Sequence, residues 1–107
     1  FTTICPMPNT NPTPDSAIVL QQILERAKEV NLCNILPYSS VTRGEKGQEL
    51  VDFKSQLEAG AIAFSDDGMP VENARMIREA MIKANSPICA IEKPHFMADL
   101  SDWPLMR

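Results

Sequence analysis

Three short apolar stretches of this 107-residue chain end at nearly equal intervals, near Asn9, Tyr38 and Asp67. The interval of about 29 residues is close to the ~30 of a strand–helix–strand unit. The first stretch, Phe1–Cys5, is β-branched and aromatic and reads as a strand; Leu32–Leu36, stopping at Pro37-Tyr38, and Ala61–Phe64 read as the second and third. The intervening segments carry helical spacing. Thr13-Pro14-Asp15 opens a helix whose apolar side holds Ile18, Leu20, Ile23, Leu24, Ala27 and Val30. After a polar loop over Gly44–Gly47, a helix with Leu50, Phe53 and Leu57 on one side ends at Ala59-Gly60. A third, with Val71, Ala74, Ile77 and Met81 on one face, ends near Asn85, and a fourth strand-like run, Pro87–Ile91, follows. Such βαβαβαβ alternation implies parallel strands joined by crossover helices.

Periodicity fits both an open doubly wound sheet and part of a (β/α)8 barrel. Cys5-Pro6-Met7-Pro8-Asn9-Thr10-Asn11-Pro12 leans toward the barrel, because a dinucleotide or phosphate-loop protein would carry a glycine-rich turn after its first strand. A full barrel needs roughly 250 residues, so this chain holds less than half of one. It starts at Phe1, inside a strand-like run, which is expected of an excised piece.

Charge and composition remove several function classes. A net charge of −4 with no basic run argues against a nucleic-acid surface. No apolar segment approaches the ~18–20 residues of a membrane span, and no signal-peptide pattern is visible. Cys5, Cys33 and Cys89 are odd in number and widely spaced, which suits reduced thiols in the cytoplasm rather than a disulfide scaffold or a zinc knot. Cys5 and Cys89 are expected to pack as small apolar residues. Met69, Met76 and Met81 read as helix or interface filler.

In either architecture the working face is the C-terminal edge of the strands, where Asn9, Tyr38, Ser39, Asp66 and Asp67 fall. Ser65-Asp66-Asp67-Gly68 places two adjacent carboxylates after a buried strand, an arrangement that needs donors or a cation to offset desolvation. Its plain role is a turn; its functional role is a metal-binding carboxylate. Asn9 divides likewise between an Asx-type turn and a presented amide. Arg43 and Lys46 share that face as loop charges, and His95 stands alone in an irregular tail.

The segments "FTTICPMPNTNP", "ILPYSSVT" and "LEAGAIAFSDDGMPV", in this order and spacing, resemble the class I bacterial dihydroorotases of the metal-dependent amidohydrolase superfamily. The resemblance covers about residues 1–90. It implies an α/β fold, a partial (β/α)8 barrel of about three and a half βα units with parallel strands over residues 1–91, and a divergent tail over 92–107. It also implies a zinc centre and the reversible cyclisation of N-carbamoyl-L-aspartate to L-dihydroorotate. Matched residue by residue, Asn9 would bind substrate and Asp67 would be a metal ligand able to bridge two zinc ions, with no catalytic base in this chain. Zinc lowers the pKa of its bound water toward ~7 and polarises the ring carbonyl.

Two departures limit those expectations. The family's His-x-His-x-x-Arg segment is absent, and Ile91 stands where a histidine ligand is expected. The chain is therefore expected to be inactive alone. Uncovered edges and helix faces should make it self-associate as a homo-oligomer or dock onto the remaining barrel segments. The alternative is a non-catalytic dihydroorotase-like protein supporting a partner such as aspartate carbamoyltransferase.

Overall fold

A computed structural model describes residues 2–84. The order of elements is β1 (Thr3–Ile4), α1 (Ala17–Val30), β2 (Asn34–Ile35), β3 (Tyr38–Ser39), a single 3-10 turn at Arg43–Glu45, α2 (Phe53–Ala59), β4 (Ala63–Phe64) and α3 (Ala74–Lys83). The expected fourth strand at Pro87–Ile91, together with Cys89, Ile91 and His95, lies outside the described residues.

Both strand pairs are parallel, β1 with β2 (Ile4 opposite Ile35) and β3 with β4 (Ser39 opposite Phe64). Residues 34–39 are the shared middle of the sheet. Asn34, Leu36 and Tyr38 donate their N–H groups to the carbonyls of Thr2, Ile4 and Pro6, at 2.8, 2.9 and 3.1 Å. On the other side Pro37 and Ser39 offer their carbonyls to Ile62 and Ser65, at 3.2 and 2.9 Å. The second strand was expected to stop at Pro37, and it continues to Ser39 instead. Proline interrupts a ladder by removing a donor, but here the donors toward β1 sit on the even-numbered neighbours. Pro37 needs only its carbonyl, so the chain passes through it between β2 and β3 with no loss of direction.

The result is an α/β arrangement of three parallel strand segments in sequential order. That order is what winding in one sense gives, in a barrel or in one half of a doubly wound sheet.

Helix boundaries follow local chemistry. The Asp52 side chain accepts from Ser55 N–H to cap α2, and Asn73 accepts from Arg75 and Met76 N–H to cap α3. Asn31 ends α1 in the left-handed conformation, its N–H on the Ala27 carbonyl. Gly60 ends α2 at φ 112, where a Cβ would also lie 3.0 Å from Leu24 Cδ1, so glycine serves both the cap and the close approach of α1. The Thr13-Pro14-Asp15 opening of α1 is displaced, since the helix begins at Ala17 behind an N-cap Ser16 whose side chain makes no capping bond. Pro14 and Asp15 are committed elsewhere, as shown below.

The core gathers Leu20, Val41, Val51, Phe53, Ala61, Phe64, Ala80 and Ala84. Phe53 and Phe64 meet edge to face with centroids 4.7 Å apart. On α1 the expected face holds in its middle, with Leu20 fully buried and Ile23, Leu24 and Ala27 partly buried, while Ile18 and Val30 at its ends are exposed. The expected face of α3 is rotated. On α3 and its C-cap the inward residues are Ala80 and Ala84, while Met81 is 60 % exposed. The small alanine side chains let α3 lie close to the core, which a row led by Met81 would hold off. Cys5 is likewise exposed rather than packed as an apolar residue.

The α3 orientation makes a direct prediction. Ala80→Lys buries an unpaired ammonium and should cost more than about 3 kcal/mol, whereas Met81→Lys should stay within about 0.5 kcal/mol. Urea denaturation of both variants reads the difference, and the reverse ranking would contradict the observed face.

Candidate functional site

The loops that leave the C-terminal ends of the strands are tied together in sequence. The Pro14 carbonyl, in the loop after β1, accepts from Ser39 Oγ at 2.7 Å and from Ser40 N–H at 3.1 Å. Asp15 Oδ2 accepts from Gly44 N–H at 2.9 Å. The prolines of this loop hold its path, with Thr10 Oγ1 donating to the Pro12 carbonyl and a cis bond at Asn11–Pro12. The loop after β3 then closes on itself. Val51 N–H donates to the Val41 carbonyl and Arg43 N–H to the Glu49 carbonyl, at 3.1 and 2.8 Å.

Asp66 fastens that second loop to the end of β4. It is 2 % exposed. Its Oδ1 accepts from Val41 N–H at 2.8 Å and Thr42 N–H at 3.1 Å, and its Oδ2 accepts from Thr42 Oγ1 at 2.5 Å. Thr42 Oγ1 in turn accepts from Gly47 N–H at 3.0 Å. Burial pushes the Asp66 carboxyl above its ordinary range, while the hydrogen bonds from Thr42 and Val41 pull it back.

Asp67 is placed differently. It is half-buried, with φ 51, and its N–H donates to Ser65 Oγ at 3.1 Å. The two adjacent carboxylates thus divide their work. Asp66 is spent on two backbone N–H donors and the Thr42 hydroxyl, and Asp67 keeps its carboxylate available at the strand end.

Sequence reasoning missed Glu45. It sits in the 3-10 turn at φ 57, with Oε1 closed off from solvent and unpartnered. Burial, then the negative charges of Asp66 and Asp67, raise its carboxyl from an ordinary 4.5 to about 7. No motif marks it; a glutamate between Gly44 and Gly47 reads as a solvated loop charge, and only the folding of the 41–51 loop onto the β4 end brings it near the aspartates. Asp15 and Thr42 were also unread as ties.

Asn9 stands exposed on the loop after β1, its own N–H turned back on the Met7 carbonyl at 2.9 Å. Nothing bonds its amide to Asp67 among the described residues. Arg43 pairs weakly with Glu49 at 3.6 Å, both exposed, and Lys46 is exposed. Among the described residues no group of three or more histidine, cysteine, aspartate or glutamate side chains is placed to hold a metal ion. A catalytic zinc takes about three protein ligands. The described residues therefore do not by themselves fit a zinc ion.

A family profile described as dihydro-orotase-like matches residues 1–98. The chain belongs to the dihydro-orotase-like family. Over 81 residues it is 49 % identical to a dihydroorotase of Aquifex aeolicus, covering 76 % of this chain and 19 % of that protein. It is 49 % identical over 84 residues to the Bacillus caldolyticus dihydroorotase and 48 % over 86 to that of Solibacter usitatus, covering 78 % and 80 % of this chain and 20 % of each relative. The chain spans about one fifth of the length of these relatives. The family match extends into residues outside the described ones. Among the described residues no helix is long and apolar enough to cross a membrane.

Two predictions distinguish the acids. Asp66→Ala leaves three buried donors without an acceptor and should cost on the order of 3 kcal/mol or more, while Asp67→Asn should be nearly neutral, since asparagine tolerates positive φ well. Chemical denaturation at pH 7 checks the pair, and equal losses would contradict the division. The second concerns Glu45, whose carboxyl holds its proton more tightly folded than unfolded. Its linkage makes stability fall as pH rises from about 4.5 to about 7 and level off above. The raised Asp66 carboxyl acts with the same sign. Glu45→Gln should therefore raise Tm at pH 8 and leave it unchanged near pH 4, and an equal effect at both would count against this placement.

Proposed function

We propose that this chain is a segment of a dihydroorotase barrel and carries part of the site that interconverts N-carbamoyl-L-aspartate and L-dihydroorotate in pyrimidine synthesis. The observation that carries the reading is the parting of Asp66 from Asp67. A buried, fully bonded carboxylate locks the end of β4 to the neighbouring loop, so that the next residue can offer a carboxylate with its backbone held. Family membership supports the reaction class, and the sequential parallel strands support a barrel of which this is a part.

In this reading Asp67 contributes one ligand to a zinc centre completed by other barrel segments. Bound zinc would supply Lewis-acid chemistry at the amide carbonyl. Asn9, exposed after β1, would hold a substrate carboxylate by donating from its amide, and the Pro14 and Asp15 ties keep its loop against the strand ends. Glu45, with its carboxyl near neutrality, would limit the negative charge that gathers beside Asp67. The substrate is a small dianionic molecule, and neither a nucleic acid nor a membrane enters the reading.

The test is a splice of residues 1–84 into the Aquifex aeolicus dihydroorotase in place of the matching segment. Zinc-dependent turnover is expected from the splice and none from the 107-residue chain alone. In the splice, Asp67→Asn should lower both kcat and metal content, with turnover falling at least about 100-fold. Asn9→Ala should raise KM more than it lowers kcat. Unchanged kinetics and metal content in both variants would refute the assigned roles.

A further inference from the structure

Every polar atom of Thr42 is engaged, and the engagements lie on two sides of the residue. Toward the end of β4, its N–H donates to Asp66 Oδ1 at 3.1 Å and its hydroxyl to Asp66 Oδ2 at 2.5 Å. Toward the 43–47 turn, its carbonyl accepts from Glu45 N–H at 3.1 Å and its hydroxyl oxygen from Gly47 N–H at 3.0 Å. Thr42 is fully buried. A hydroxyl carries one proton, and with Gly47 N–H on a lone pair that proton is committed to Asp66. The neighbouring hydroxyls are equally buried and make neither connection. Ser39 Oγ donates to the Pro14 carbonyl, and Ser40 Oγ is closed off from solvent without a partner.

The 43–47 turn needs such a hold. Gly44, Glu45 and Gly47 all have positive φ, at 60, 57 and 68. Glycine adopts this conformation readily, whereas for glutamate it is uncommon and persists only where the surroundings enforce it. Glu45 also keeps Oε1 sealed and unpartnered while the charges of Asp66 and Asp67 bear on it. We propose that Thr42 is the positioning residue of this edge: its hydroxyl couples Asp66 to the 43–47 turn, so that Glu45 and the backbone carrying Asp67 are held in one fixed relation. Asp66 acts on Asp67 through the peptide they share, and Thr42 acts on the turn and on Asp66 at once. Its β-branch limits χ1, which keeps the hydroxyl between its two partners. The kinetic consequence rests on the proposed reaction; the coupling itself does not.

Three variants test it. Thr42→Val keeps the branched shape and removes the hydroxyl, Thr42→Ser keeps the hydroxyl, and Ser40→Ala is the control at an equally buried neighbour. In the 107-residue chain, the Glu45 and Gly47 amides should exchange at least about tenfold faster in Thr42→Val, recover in Thr42→Ser and stay unchanged in Ser40→Ala. Glu45 is the more telling of the two, because its own acceptor, a backbone carbonyl, survives the substitution. In the splice described above, Thr42→Val should lower kcat at least about tenfold with KM held within about twofold, and Thr42→Ser should restore most of kcat. Where Thr42→Val does not fold, Thr42→Ala, which leaves room for solvent beside Asp66, carries the same expectations. Unchanged Glu45 exchange, a kcat loss that Thr42→Ser does not recover, or an equal loss in Ser40→Ala would overturn the inference. So would a fall in Tm with kcat unchanged, which makes Thr42 an ordinary core residue. A splice inactive in every form, with the exchange pattern as expected in the chain, sinks the catalytic reading and leaves the coupling standing.

Discussion

The arrangement of the strand ends depends on one carboxylate. Asp66 accepts three hydrogen bonds from two consecutive residues of the neighbouring loop, and Thr42 passes the connection on to Gly47. A carboxylate buried to this degree would be costly without such donors. With them it fixes the 41–47 segment against β4, brings Glu45 to the aspartates, and sets the backbone from which Asp67 projects. The ties from Pro14 and Asp15 extend the same order to the loop after β1. Three separate strand ends thereby become one supported edge.

The strand–helix rhythm was legible because each unit repeats the same composition: a short apolar run, then helical apolar spacing, then a turn residue. Gly60 and the parallel pairing followed from it. What escaped were features decided by tertiary contact. Pro37 reads as a stop because sequence cannot say which edge its missing donor would face. Met81 reads as part of the inward face of α3, and only the packed fold shows that Ala80 is buried there instead.

Within the site, the Asp-Asp pair was legible as a place of interest but its division was not. Adjacent residues of the same type are indistinguishable until the burial of one and the positive φ of the other are seen. Glu45 was invisible for a related reason: its proximity to the aspartates crosses about 20 residues of chain and depends on how the loop closes. The relatives are about five times as long as the matched segment, so most of their chain lies outside it.

The most direct measurement of this account is hydrogen exchange at the Val41 and Thr42 amides, compared among the unsubstituted chain, Asp66→Asn and Asp67→Asn. Both amides should be strongly protected in the unsubstituted chain, lose protection by at least about tenfold in Asp66→Asn, and keep it in Asp67→Asn. Loss of protection in Asp67→Asn with retention in Asp66→Asn would reverse the roles and contradict the account.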